Sequence, residues 1–275
     1  MYVAVVTPGW LMSFVRGRHA HQTLPPGVPA GLLERAARAT PAVVEASANG
    51  WWLRHTDARE FTAGAVLAHR RVDVLNRAVD TAESFYRAHQ APACFQVCDG
   101  CAPGLDDVLA ARAYVWTAPI SLEVGPAQDI SSPRHRRGIE TEITTWPTTD
   151  WFAVETSADR SHDVARERSL LRRIRQPSTY VTVYERGRPI AIGRSVAERG
   201  WAGVFDMLTD PLHRGHGAAR LVLSTLARAA LDRGASWLYL QLERGNDRAR
   251  RLYRSNGFRE AATYHYRVQD DDPTA

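Results

Sequence analysis

Residues 207–219 read Met-Leu-Thr-Asp-Pro-Leu-His-Arg-Gly-His-Gly-Ala-Ala, a β-type run that turns on two glycines and enters a helical pattern. Val222, Leu226, Ala229 and Ala230 then recur at helical spacing, and Gly234 is placed to end the helix in a left-handed conformation. A strand that feeds an amphipathic helix through a short turn must lay that helix on a sheet, which commits this region to a mixed α and β fold. The turn has a second consequence. Backbone N–H groups at a helix start are unpaired and lie at its positive end, so Gly215, Gly217, Ala218 and Ala219 would let a phosphate approach closely, and Arg214 adds charge. Taken alone, a Gly-x-Gly at a helix start describes a ligand-free turn equally well.

The remaining periodicities place this unit in the second half of a two-part chain. Residues 125–139 are polar, carry Pro126 and Pro133, and show no sustained helix or strand pattern, so they read as a linker. Before it come a helix over residues 32–44, strands over 51–56 and 60–69, a helix over 72–89, a strand at 94–97, a short helix at 105–111 and a strand at 120–124. After it come a strand at 142–146, a helix over 163–174 and three strands ending at Thr209, with a hairpin turn at Arg186-Gly187. The glycine turn and its helix follow, then a strand at 237–242, a helix at 246–255 and a last strand at 261–268. The division predicted is residues 1–126, a linker at 127–139, and residues 140–275.

At 275 residues with 44% hydrophobic content, the chain can build its core without disulfides or metals. No apolar stretch is long enough to span a bilayer, and the opening lacks a basic start and a small-residue cleavage site, so a cytoplasmic location with no membrane partner is expected. All 35 basic residues are arginine, and they are spread among acidic neighbours. The formal charge of +5 therefore suits a polyanionic ligand without marking a nucleic-acid surface. Cys94, Cys98 and Cys101 fall in one short segment. Cys98-x-x-Cys101 lacks a second pair and has only His89 nearby in sequence, so no metal site is expected.

A second motif lies downstream of the glycine turn: Asn246-x-x-Ala249-x-x-Leu252-Tyr253-x-x-x-Gly257-Phe258. Together with Arg214-x-x-Gly217-x-Ala219, in the same order and register, it resembles the coenzyme A motifs of the GNAT superfamily of N-acetyltransferases. The resemblance covers about residues 140–268. It implies a mixed, mostly antiparallel sheet flanked by helices, with a degenerate GNAT-like half in front of a catalytic one.

The resemblance also implies roles. Met207, Leu208 and Thr209 would present backbone to the pantetheine arm, and Arg214, Gly215, His216, Gly217, Ala218, Ala219 and Arg220 would hold the pyrophosphate. Asn246 would contact the pantetheine, and Tyr253 would sit near the thioester sulfur as the acid that protonates the leaving thiolate. The position that carries a general base in many relatives is occupied here by Gly203, Val204 and Phe205, which leaves Asp206 and Glu243 as the nearest candidates. The acyl donor implied is acetyl-CoA and the acceptor a small-molecule amine, in a monomer or homodimer. An acyl-CoA-binding regulator without catalysis, and an acyltransferase resembling mycothiol synthase, are the alternatives. The first half has no glycine at Ala68-His69-Arg70-Arg71, before its own long helix, so it is expected to bind no coenzyme A; Trp51 and Trp52 are read as core or as part of an acceptor pocket.

Overall fold

A computed structural model describes residues 28–56, 61–117, 119–130, 137–158 and 163–270. The opening segment and residues 131–136 of the predicted linker lie outside the described residues. The first part runs α1 (Val28–Ala39), β1 (Val44–Ala48), β2 (Trp51–His55), α2 (Phe61–Gly64), β3 (Val66–Leu67), α3 (Leu75–Ala88), β4 (Cys94–Cys98), α4 (Leu105–Ala111), β5 (Val115–Trp116) and β6 (Ile120–Pro126). The second runs β7 (Ile139–Thr144), α5 (Thr149–Ala158), α6 (Val164–Arg173), β8 (Ser178–Glu185), β9 (Arg188–Glu198), β10 (Trp201–Thr209), α7 (Ala218–Asp232), β11 (Trp237–Glu243), α8 (Asp247–Arg254) and β12 (Arg259–Val268).

Several local expectations change: the helix read over residues 32–44 is α1 and ends at Ala39, and Val44 opens strand β1 instead. Within residues 60–69, read as one strand, the described residues form the short helix α2 and the two-residue strand β3, because a brief apolar run does not by itself distinguish helix from strand. Helix α5 had no visible period. Its core residues Trp151, Phe152 and Val154 are nearly consecutive, so no amphipathic stripe stands out, yet all three are buried.

The strands form one mixed, mostly antiparallel sheet in the order β1-β2-β3-β4-β12-β6-β11-β10-β9-β8-β7, with β5 pairing β12. The two halves interleave at its centre. Strand β6, from the first half, lies antiparallel between β11 and β12, with Leu240 opposite Glu123 and Arg259 opposite Val124. Strand β12, from the second half, in turn pairs with β4, His265 opposite Val97.

Alternation along the strands sorts the helices to two faces. Val181, Val183, Leu238, Leu240 and Leu242 pack with α7 and α8, while Tyr180 packs with α5 and α6 and Tyr239 packs with α1. A separate cluster under α3, built on Trp51, Val79, Phe95 and Leu109, forms the first half's core. Trp51 is buried and donates Nε1–H to the Arg70 carbonyl at 3.0 Å, which settles it as a core residue.

Candidate active site

Strands β10 and β11 are parallel, and their pairing is short: Trp201, Ala202 and Gly203 match Trp237, Leu238 and Tyr239, after which no pair is formed although β10 runs on to Thr209 and β11 to Glu243. The divergence has a local cause. The β9–β10 register breaks between Phe205 and Leu208, and Asp206 takes a left-handed φ of 54°, the signature of a β-bulge that bends and twists its strand. A wedge-shaped notch therefore opens at the carboxyl ends of the two strands, with Met207, Leu208 and Thr209 along one wall.

The glycine turn lies at the mouth of this notch. Asp210 is buried and organises it: its carboxylate accepts from the Leu212 N–H at 2.9 Å and from Arg188 Nη2 at 3.1 Å, and faces His213 Nδ1 at 3.4 Å. Although burial opposes it, the Leu212 N–H and His213 hold this carboxyl below its ordinary value. Arg214 donates Nε–H to the Thr209 carbonyl at 3.2 Å. Gly215 and Gly217 have φ of 86° and 88°, and a Cβ at either would meet nothing within 4 Å. Both glycines thus border open space in front of the first N–H groups of α7, a helix of 15 residues.

On the other side of the notch, Asn246 caps α8 by accepting from the Ala249 N–H at 3.1 Å. Tyr253, next to last in that helix, is 6% exposed and packs on Phe258 with ring centroids 5.5 Å apart. Burial, and after it the nearby Glu123 carboxylate, push the phenol well above its ordinary value, so it stays protonated across the physiological range. Glu123 belongs to β6, the strand lent by the first half. It is buried, its Oε2 has no hydrogen-bond partner, and burial pushes its carboxyl up against the opposing pull of Arg254 and Arg250.

Residues 141–258 match the Acetyltransferase (GNAT) family. These residues form a GNAT acetyltransferase domain. Over 243 residues it is 25% identical to YobR of Bacillus subtilis (strain 168), an uncharacterised N-acetyltransferase, covering 86% of this chain and 97% of that one. In fold it is similar to a GCN5-related N-acetyltransferase from Kribbella flavida, with TM-score 0.70, 18% identity and coverage of 91% and 97% of the two chains. A tandem GNAT protein from the clavulanic acid biosynthesis pathway superposes with TM-score 0.60 at 13% identity, over 82% of this chain and 74% of that one. The chain is accordingly an acyltransferase, built on a tandem GNAT architecture.

Within this candidate site the two base candidates stand apart. Asp206 turns its carboxylate to Arg194, Oδ2 to Nε at 2.5 Å, on the face of the sheet covered by α1 and α5. Arg194 is fully buried, also donates to the Ala39 carbonyl at 2.9 Å, and stacks over Phe205 at 4.7 Å. Glu243 ends β11 exposed. Arg250 donates to the Arg244 carbonyl and lies 3.7 Å from Asp247, and Arg244 pairs with Glu260 at 2.8 Å, so these arginines have local partners.

Glu123 and Arg194 escaped notice in the sequence. A glutamate inside the apolar run Ile-Ser-Leu-Glu-Val, and an arginine inside Ala-Ile-Gly-Arg-Ser-Val, are the only outward signs: a charge at an inward strand position. The cysteine pair also meets a different histidine from the one its spacing suggested. His89 packs against His55 and Phe85, whereas His69 lies with Cys98 and Cys101.

Proposed function

We propose that this chain transfers an acetyl group from acetyl-CoA to the amine of a small-molecule acceptor, by direct attack within a ternary complex. The observation that carries the reading is the coincidence of two features. The β10–β11 pairing stops at Gly203, and the open glycine turn at Gly215 and Gly217 begins α7 at the mouth of the same notch.

A pantetheine arm in that notch would pair with the backbone of Met207 and Thr209, with Leu208 between them. The pyrophosphate would sit on the N–H groups from Gly215 to Arg220, beside Arg214 and His216. Asn246 has its side-chain oxygen committed to the helix cap, which leaves its amide NH2 to reach the pantetheine. Held together, amine and thioester gain from proximity, and a Tyr253 hydroxyl kept protonated is suited to donate to the departing thiolate. Asp206 and Glu243 remain the base candidates. Asp206 has one oxygen taken up by Arg194, and an acceptor that binds as the neutral amine needs neither.

The first half would serve the reaction by lending β6 and with it Glu123, and would bind no coenzyme A of its own. A division at residues 127–139 would then mark a change of role more than a break in the sheet. Among the described residues no helix is long and apolar enough to cross a membrane.

The test is coenzyme A release measured over an unbiased amine panel with acetyl-CoA and longer acyl-CoAs, alongside the Tyr253→Phe variant. Amine-dependent turnover that falls about 10²-fold or more in the variant, with KM for acetyl-CoA little changed, is expected. Tight acyl-CoA binding without amine-dependent turnover would identify a regulator instead. Titration with acetyl-CoA should give one site per chain, and two equivalent sites would end the assignment of the first half as non-binding.

A further inference from the structure

The first half repeats the strand–helix–strand unit of the second, with its notch treated differently. Strands β3 and β4 are parallel, Val66 opposite Phe95 and Leu67 opposite Gln96, just as β10 and β11 are, and α3 follows β3 as α7 follows β10. Beyond the paired residues, β10 and β11 diverge into the proposed coenzyme A notch. Beyond β3 and β4 the chain carries His69 on one side and the turn Cys98-Asp-Gly-Cys101 on the other. The Ala102 N–H donates to the Ala68 carbonyl at 3.0 Å and ties the two segments together.

The three side chains converge. A ring nitrogen of His69 and the sulfurs of Cys98 and Cys101 all lie within 4.8 Å of one another. The sulfurs are 3.2 Å apart, the Cys98 N–H donates to Cys101 Sγ at 3.2 Å, and Cys101 Sγ lies 3.3 Å from the Gln96 carbonyl. The His69 side chain is 4% exposed, and neither ring nitrogen makes a hydrogen bond. An imidazole buried with both nitrogens unsatisfied carries a desolvation cost that a ligand would offset. Glu34 Oε1 stands 3.8 Å from Nδ1, close enough that a small shift of the carboxylate would let it accept from Nδ1–H and leave Nε2 to bind a metal.

We propose that His69, Cys98 and Cys101 bind one zinc ion that staples the carboxyl ends of β3 and β4, closing in this half the notch that the other half keeps open. Two thiolates and an imidazole are the soft-to-borderline donor set zinc prefers. Tetrahedral coordination at ~2.3 Å places two sulfurs ~3.7 Å apart, a small opening of the observed pair. The fourth position faces a cleft of about 350 Å³ lined by Cys98, Cys101 and Asp99, and would carry water. Binding converts both thiols to zinc-bound thiolates, with their protons released to solvent.

The experiment is metal analysis of the full chain purified under reducing conditions without chelator, with cobalt titration of the metal-stripped protein. About one zinc per chain is expected, together with thiolate-to-cobalt charge-transfer absorption and the visible bands of tetrahedral cobalt. Chelation should lower the melting temperature by roughly 5 °C or more. Cys98→Ser, Cys101→Ser and His69→Gln should each lose the metal, while Cys94→Ala, altering the cysteine outside the cluster, should keep it. Should the ligand variants fail to fold, the cobalt spectrum of the wild type decides alone. Less than about a tenth of a zinc per chain with no cobalt bands, or a Cys98–Cys101 disulfide recovered from the reduced preparation, overturns the proposal.

Discussion

Asp206 meets Arg194 at 2.5 Å, a carboxylate 24% exposed against a guanidinium 1% exposed, at the bulge where β10 leaves β11. The pair connects the shape of the notch to the core. Arg194 has little access to water, so its charge depends on Asp206 and on the Ala39 carbonyl. Asp206→Asn should therefore cost about 2–3 kcal/mol, below the full figure for a buried pair because Asp206 is partly solvated. At this chain length that lowers the melting temperature by roughly 4–10 °C. A melt matching wild type would show that Arg194 does not rely on this carboxylate. If Asp206 is also the base, the variant's kcat/KM loses its acid limb; if the residue only shapes the bulge, the pH profile keeps its form at reduced height.

Gly217 gives a cleaner probe of the proposed pyrophosphate site. No atom of the protein lies within 4 Å of a Cβ built there, so a side chain would project into the space assigned to the ligand. Its φ of 88° adds about 1–2 kcal/mol of strain for any L-residue. In Gly217→Ala, KM for acetyl-CoA should rise about tenfold with kcat nearly unchanged. A KM equal to that of wild type would place the pyrophosphate elsewhere.

What could be read in advance follows from which signals are local. The glycine turn, α7, and the cap at Asn246 are specified within a dozen residues, so Arg214 to Ala219 and Asn246 to Phe258 declare themselves in sequence. The notch does not, because it depends on where β10 stops pairing with β11, and that depends on a bulge at Asp206 held by Arg194 from another strand. His69 and Cys98 were invisible as neighbours for the same reason: parallel pairing of β3 with β4 brings together residues separated by a whole helix.

Glu123 should leave a mark on stability with a defined sign. Its folded-state carboxyl is raised above the ordinary 4.5, so the native state holds its proton more tightly than the unfolded state. The contribution of this carboxyl to stability is therefore fully present below the unfolded value and is lost as pH rises from about 4.5 through the folded value. Glu123→Gln removes this decline. The variant should match wild type at pH 4 and exceed it at pH 8 by about 1 kcal/mol, the scale set by an unsatisfied buried polar group. Parallel melting curves of the two proteins across that range would show that the carboxyl is not strained by folding.

The interleaved sheet predicts that the second half will not stand alone. Strand β6 supplies the antiparallel partner for all of β11, from Trp237 opposite Pro126 to Glu243 opposite Ile120, and also pairs β12 from Arg259 to Tyr264. Without it, β11 would expose an edge at the middle of the sheet, and Phe258 would lose the strand at Gly125, where a Cβ would come within 3.0 Å of its ring. A fragment of residues 127–275 should show no cooperative thermal transition and should aggregate through that edge. Co-expression with residues 1–126, which restores β6 in trans, should recover a folded complex that binds acetyl-CoA. A cooperative, monomeric melt from the isolated fragment would mean that β12 closes onto β11 by itself, and that β6 is not required to hold Tyr253 in place.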